Sequence, residues 1–370
     1  MRKITYLFSA AALCLSSLSA VAQLIFPADG GNKKASVSER IGITDVTIHY
    51  DRPAVKGREG KVWGELVHYG YKDLGFGSSK ESPWRAGANE NTTITFSTDV
   101  NVEGKPLAAG TYGLMMGVQE NDVTVIFSKN ATSWGSYFYD PKEDALRVSV
   151  KPLKNQPSVE RLKYEFMNET DSSAVIALLW EKWTIPFTVS VNLVQTQLAS
   201  LRNELRSEKG FRWDAYQQAA NYVADHKTNL EEGLRWADYS INGQFVGEKN
   251  FSTLQTKARL LAMLNRTAEA DALMKEALPM ANMQQGYQYG RQLINQKKGK
   301  EALTFFQDYA KKYPNVFTAN MGLMRAYSAV GDYKSATDWG KKALAVAPDN
   351  NNKANVERLL GQLQQGKDVN

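Results

Sequence analysis

The apolar residues of this 370-residue chain change their period once, near residue 200, and no other feature restricts its fold so much. From Ile43 to about Val194 they recur at every second position, and beyond about Ser200 at three- and four-residue intervals. Side chains alternate across a strand but return to one helix face every 3.6 residues, so strands are expected first and helices second. The two kinds of segment are segregated, which argues against a parallel α/β sheet and predicts a multidomain β plus α chain.

In the first block Thr44, Val46, Ile48 and Tyr50 alternate with Asp45, Thr47 and His49, and Ile94 and Phe96 with Thr93, Thr95 and Ser97. The same alternation marks Tyr112–Met116, Val123–Phe127, Leu146–Val150, Leu162–Phe166 and Ile185–Val191, with Gly, Asn, Asp and Pro between. Ala174–Trp180 is apolar on both faces and is expected to be a central strand. Short strands at this spacing predict an antiparallel β-sandwich or barrel over residues 23–197.

Two irregular segments carry clustered polarity. Asp51-Arg52-Pro53-Ala54-Val55-Lys56-Gly57-Arg58 gathers Arg52, Lys56 and Arg58, and Trp84-Arg85-Ala86-Gly87-Ala88-Asn89-Glu90 sets Arg85, Asn89 and Glu90 ahead of a strand. Binding residues collect on loops held by a rigid sheet, so these six are the candidate site for an anion or a sugar. They also suit a purely structural role. Arg85 and Glu90 would then form an internal ion pair, Asn89 would cap a turn and Trp84 would plug the sandwich end.

The ordered set Tyr50-Asp51-Arg52-Pro53, Lys56-Gly57-Arg58, Trp84-Arg85-x-Gly87-Ala88-Asn89-Glu90, Gly104-Lys105-x-Leu107-x-Ala109-Gly110-Thr111-Tyr112-Gly113, Leu146-Arg147-Val148 and Trp180-Glu181 resembles the exported bacterial family called domain of unknown function 2911. The resemblance covers roughly residues 24–195. It implies a periplasmic or cell-surface setting in a Gram-negative bacterium and brings no activity with it. The Gly- and Ser-rich stretch from Gly70 to Pro83 departs from the pattern as an insertion.

In the second block helices are expected at Trp213–His226, Leu230–Ile241, Phe251–Leu264 and Thr267–Leu278, and Gln195–Arg206 reads as a continuous helix. A 34-residue repeat follows, with Pro314 and Pro348 one period apart, as are Ala302 and Ala336. Leu323, Tyr327, Gly331, Tyr333, Ala336, Ala343 and Pro348 fall at tetratricopeptide positions. The preceding unit keeps Gly290, Ala302, Phe306 and Pro314, and Pro279 suggests a third, more divergent unit. Small alanines let paired helices approach, and the proline ends the second helix. Residues 198–370 therefore resemble a tetratricopeptide-like repeat domain, with a concave face built from the first helix of each unit. On that face Tyr287 is equivalent to Met321, and Arg291 to Arg325. Two arginines in register suit the carboxylates of an acidic or C-terminal peptide. Unliganded, they would be ordinary solvated residues.

Arg2 and Lys3, an apolar run from Ile4 to about Leu15, and Ala20-Val21-Ala22 make up the three parts of a secretory signal peptide over residues 1–22. The run is shorter than the roughly 20 residues a membrane-spanning helix needs. Cys14, the one cysteine, lies inside it behind Leu13, where a lipoprotein would have a small residue. After cleavage no cysteine is expected, which removes disulfides, thiolate nucleophiles and Cys-bound metals. Without Arg2 and Lys3 the 45 Lys+Arg become 43 against 39 Asp+Glu, a net charge of +4. Those charges are dispersed, so nucleic acid is not an expected partner. No later segment is apolar for long enough to span a membrane.

Catalytic signatures are lacking. His49, His68 and His226 have no metal-pair spacing, Gly77-Ser78-Ser79-Lys80-Glu81 lacks the second glycine of a nucleophile elbow, and Gly104-Lys105 runs into Pro106. No metal and no cofactor are expected. Carboxylates are the remaining resource, with Asp51, Glu59, Glu90 and Asp140 as candidates in the β half. The leading expectation is an exported, non-catalytic binding or scaffold protein whose repeat groove takes an envelope protein or peptide, with a glycan as a further ligand of the β half. The alternative is a glycan-acting hydrolase.

Overall fold

The structure, a computed structural model, describes residues 31–370, so the expected signal segment lies outside the described residues. The chain divides after Gln197 into two compact units.

The first unit holds eleven strands among the described residues: β1 (Lys33–Ile41), β2 (Thr44–Arg52), β3 (Thr93–Phe96), β4 (Val100–Val102), β5 (Lys105–Leu107), β6 (Gly110–Val118), β7 (Val123–Ser128), β8 (Asp144–Val150), β9 (Val159–Met167), β10 (Ser173–Glu181) and β11 (Trp183–Ser190). They pair antiparallel into two sheets, ordered β1-β2-β3-β6-β7-β8 and β5-β4-β11-β10-β9. The alternation seen in the sequence is the alternation of burial. Val46 and Ile48 are fully buried on β2, while Asp45 and His49 on either side of them face water and Thr47 between them is half-buried. Ile48, Ile94, Leu114 and Phe127 of one sheet share a single core with Leu162, Ile176, Trp180 and Phe187 of the other. Phe127 and Phe187 meet edge to face at 5.9 Å. Each such side chain contributes about 1.5–3 kcal/mol of burial free energy, so this core is what holds the sandwich.

β1 was not foreseen. Only Ile41 of its nine residues is buried, so it has no apolar face to leave a period-two trace. Register alone places it, through continuous pairing from Lys33 opposite Arg52 to Ile41 opposite Thr44. A polar strand at a sheet edge also discourages pairing with other chains. On the far side of the sheet Met115 and Ile126 are buried against Tyr139, so β6 and β7 are covered on both faces. Trp63, Trp84, Trp180 and Trp183 stack and interlock, with the Trp63 and Trp183 rings 4.7 Å apart.

The second block forms ten α-helices among the described residues: α1 (Leu193–Glu204), α2 (Trp213–Asp225), α3 (Leu230–Asn242), α4 (Phe251–Met263), α5 (Thr267–Ala277), α6 (Met283–Asn295), α7 (Gly299–Lys312), α8 (Phe317–Ala329), α9 (Tyr333–Ala345) and α10 (Asn350–Gln364). α6 and α8 start 34 residues apart, as do α7 and α9, whereas α4 precedes α6 by 32. The shorter upstream unit explains why the repeat fades there. Asn250 and Asn282 close α4 and α6 with reciprocal capping boxes to Thr253 and Gln285. Between the last hairpins the Phe306 ring is wedged against two glycines. A Cβ at Gly290 would lie 2.3 Å from it and one at Gly322 2.2 Å. Only hydrogen at both positions allows α6, α7 and α8 to approach so closely.

Candidate functional site

The six polar loop residues of the β-sandwich separate into two groups. Arg52 and Arg58 are spent on main chain. Arg52 Nε donates to Leu162 O at 2.8 Å, and Arg58 donates to Val55 O at 2.8 Å and Ala54 O at 2.7 Å. Lys56 is exposed at a left-handed turn (φ +50°), with its N–H on Glu160 at 3.1 Å. These three cations do not converge on one point through these bonds.

Asn89 and Glu90 do meet, around Asp51 near the end of β2. Asn89 Nδ2 donates to Asp51 Oδ1 at 3.3 Å and its own Oδ1 accepts from Asn32 at 3.2 Å. Lys34 Nζ lies 2.8 Å from Glu90 Oε2 and 3.4 Å from Asp51 Oδ2. The Asp51 and Glu90 carboxyl groups thus share one ammonium partner. The expected Arg85–Glu90 ion pair is therefore replaced by Lys34–Glu90. Arg85 instead donates to Asn89 O at 3.0 Å and lies 5.4 Å over the Trp134 ring. Ala86 and Asn89 both hold positive φ, +51° and +55°, which sets the hairpin-like bend of this loop. A shallow cavity of about 450 Å³ opens beside the cluster, lined by Lys34, His49, Asp51 and Glu90.

The two carboxyls are driven apart in acidity. Burial, followed by the hydrogen bond with Glu90, raises Asp51 above its ordinary value, while Asn89 and Lys34 oppose that shift. The Lys34 hydrogen bond lowers Glu90. Such a pair can keep one proton between two carboxyls. Of the other carboxylates considered, Glu59 is exposed and Asp140 caps the turn at Pro141–Glu143 through Lys142 N. Asn32 and Lys34 went unnoticed because they belong to β1 and its approach, where the sequence carries no apolar signal. Among the described residues no three His, Cys, Asp or Glu side chains come together to hold a metal, and no helix is long and apolar enough to cross a membrane.

In the helical unit Tyr287 and Arg291 lie one turn apart on α6, and Met321 and Arg325 one turn apart on α8. Arg291 and Arg325 are neighbours, and the Tyr287 hydroxyl is beside Arg325. Burial, and then the Arg291 charge, lower the Arg325 pKa. Among the described residues, buried Nη1 of Arg291 and Nε of Arg325 have no hydrogen-bond partner. Arg325 Nη1 donates to a main-chain carbonyl, Val369 O at 2.5 Å. Met321 is buried among Val356, Leu359 and Leu363, with Tyr287 at the margin, so it supports this face from beneath. A separate cavity of about 890 Å³ lies among α2, α4, α5 and α6, lined by Gln217, Asn221, Gln255, Thr256, Gln292 and Gln296. Its scattered amides leave no pattern in the sequence.

Fold and sites together define an antiparallel β-sandwich carried in one chain with a tetratricopeptide-like helical repeat. Residues 32–189 match the family model described as "Protein of unknown function (DUF2911)", so the sandwich is the part of the chain that this family describes. No curated protein matches the chain. Among solved structures the helical region is similar to YrrB, "a TPR protein with an unusual peptide-binding site", at 18% identity and a TM-score of 0.30, covering 45% of this chain and 84% of that one. It is also similar to MamA AMB-1, at 14% identity and a TM-score of 0.27, covering 42% and 85%. A third likeness is to the C-terminal part of a TPR repeat-containing protein from Cytophaga hutchinsonii, at 12% identity and a TM-score of 0.34, covering 46% and 67%.

Proposed function

We propose that this is an exported protein, periplasmic or at the cell surface, that works without catalysis by holding an acidic segment of a protein partner against α6 and α8. The juxtaposition of Arg291 and Arg325 supports this most. Two half-buried guanidinium groups of like charge, each with a donor left unmade, raise the energy of the face that carries them. A partner carboxylate lowers that energy twice, by accepting the free N–H groups and by opposing both charges. Export rests on the signal-like residues at the start of the sequence.

A second surface belongs to the sandwich. Phe76, Trp134 and Phe138 are 65%, 56% and 52% exposed; Phe76 and Trp134 pack on Tyr137, Phe138 packs on Phe76, and Arg85 lies over the Trp134 ring. Exposed rings in contact with one another mark an interaction surface, and a glycan is the ligand we assign to it.

Fluorescent peptides of matched length, one rich in Glu and one rich in Lys, test the main assignment against the native chain and Arg291→Gln/Arg325→Gln. The acidic peptide should bind the native chain, lose affinity with rising salt, and bind the double variant at least about tenfold more weakly. Equal binding of both peptides, or indifference to the substitutions, would remove the arginine pair from function. Fractionation of cells expressing the full chain tests export.

A further inference from the structure

The last residues of the sequence run back along α8. Gly366, with φ +69°, turns the chain just after α10, and Val369 then inserts beside Met321, Met324 and Leu363, where it is 5% exposed. Its N–H donates to Ser328 Oγ at 3.1 Å and its carbonyl accepts from Arg325 Nη1 at 2.5 Å. The Ser328 hydroxyl donates to Asp368 Oδ1 at 2.7 Å, and Asn370 Nδ2 reaches Arg325 O at 3.0 Å. Both main-chain groups of Val369 are thus taken by α8 side chains, while Lys367, Asp368 and Asn370 on either side stay exposed. A bound extended peptide is held in the same manner, by main-chain bonds plus a pocket for one side chain.

This mode of occupation is incomplete. Asp368 is bound by Ser328 and not by an arginine, and the Arg291 Nη1 and Arg325 Nε donors remain unmatched with the segment in place. A competitor that offers the same branched anchor and also a carboxylate to those donors makes every contact the tail makes, and more.

We propose that residues 368–370 are a resident occupant of the partner groove, which a partner must displace, and that the groove selects extended peptides that combine a small β-branched anchor with a carboxylate placed to meet the arginines, which Asp368, held by Ser328, does not supply. This rests on the α6–α8 face being the partner site. A tethered occupant lowers the apparent affinity for any partner by the fraction of molecules in which the groove stands open.

The test uses a fluorescein-labelled peptide with the sequence of Gly366–Asn370, capped at both ends, and three forms of the protein. These are the full chain, a chain ending at Gly366, and full-length Val369→Gly, which keeps its length should the shortened chain fold poorly. At about millimolar peptide, the effective concentration of a short tether, the shortened chain and V369G should bind saturably and the full chain about tenfold more weakly. A peptide carrying Gly in place of the valine should not bind. The Glu-rich peptide should also gain affinity when the tail is removed. If that acidic peptide binds all three forms equally and the tail peptide binds none, the segment is no occupant although the arginine groove stands. If neither peptide binds any form, the occupant and the groove fall together.

Discussion

Asp51, near the end of β2, and Glu90, on the loop before β3, answer to one ammonium group, with Lys34 Nζ 3.4 Å from the first and 2.8 Å from the second. Asp51 is 4% exposed, whereas the Glu90 side chain is half exposed. The buried member meets the larger desolvation cost and moves up in pKa, and the exposed member keeps the stronger ion pair and moves down.

A pH dependence follows. Asp51 lies above the ordinary aspartate value in the folded protein, chiefly through burial and then through Glu90. Its contribution to stability is therefore complete below that value and is lost as pH rises through the folded pKa. Glu90 lies below the ordinary glutamate value through the Lys34 hydrogen bond, so its contribution is present above that value and is lost as pH falls through the folded pKa. Asp51→Asn should accordingly melt higher than the native protein at about pH 7 and lose that advantage near about pH 3. Thermal melts across this range decide it, and a lower Tm for D51N at neutral pH would contradict the assignment. In Glu90→Gln the Asp51 titration, followed by NMR, should move down.

Arg58 separates an anion site from a structural splint. Its guanidinium already donates to Val55 O and Ala54 O, so Arg58→Gln should cost about 1–2 kcal/mol of stability. Phosphate binding, measured by calorimetry on both proteins, should be unaffected. A variant of native stability that had lost an anion would reverse the assignment.

The fold was legible where burial follows periodicity and obscure where it does not. Val46, Ile48 and Phe96 wrote their strands into the sequence because each stands between solvent-facing neighbours. β1 left no such trace, being polar along nearly its whole length, and it took Lys34 with it. Consequently the sequence points to Asn89 and Glu90 but not to the cation completing their cluster, and it offers Arg85, close by in the chain, as the partner of Glu90. In the helical unit the equivalence of Arg291 and Arg325 followed from the 34-residue register. The seating of Val369 beside them did not, because a segment beyond the last repeat has no register to read.

The glycines of the repeat give opposite expectations for one substitution. Glycine to alanine inside a helix ordinarily gains about 1 kcal/mol. Gly361 of α10 has open space where a Cβ would go, so Gly361→Ala should follow that rule. Gly322→Ala would drive a methyl into the Phe306 ring and should lose about 1–3 kcal/mol instead. Denaturant unfolding of G361A, G322A and G322A/F306L checks both signs, with the smaller ring-free side chain recovering part of the loss if Phe306 is the obstacle.

The arginine pair should show a conflict between stability and binding. Arg291 brings a like charge to Arg325 and keeps a buried donor without a partner. Replacing it by a flexible apolar chain of similar length removes both costs while preserving contact with the α8 side chains. Arg291→Met should therefore raise unfolding free energy by about 1 kcal/mol. The same variant should bind the Glu-rich peptide more weakly than the native chain, since half of the charge offered to a carboxylate is gone. Denaturant titration and peptide binding on one preparation measure the two effects together. A variant that is both less stable and equally able to bind would show Arg291 to be a packing residue whose charge the protein does not use.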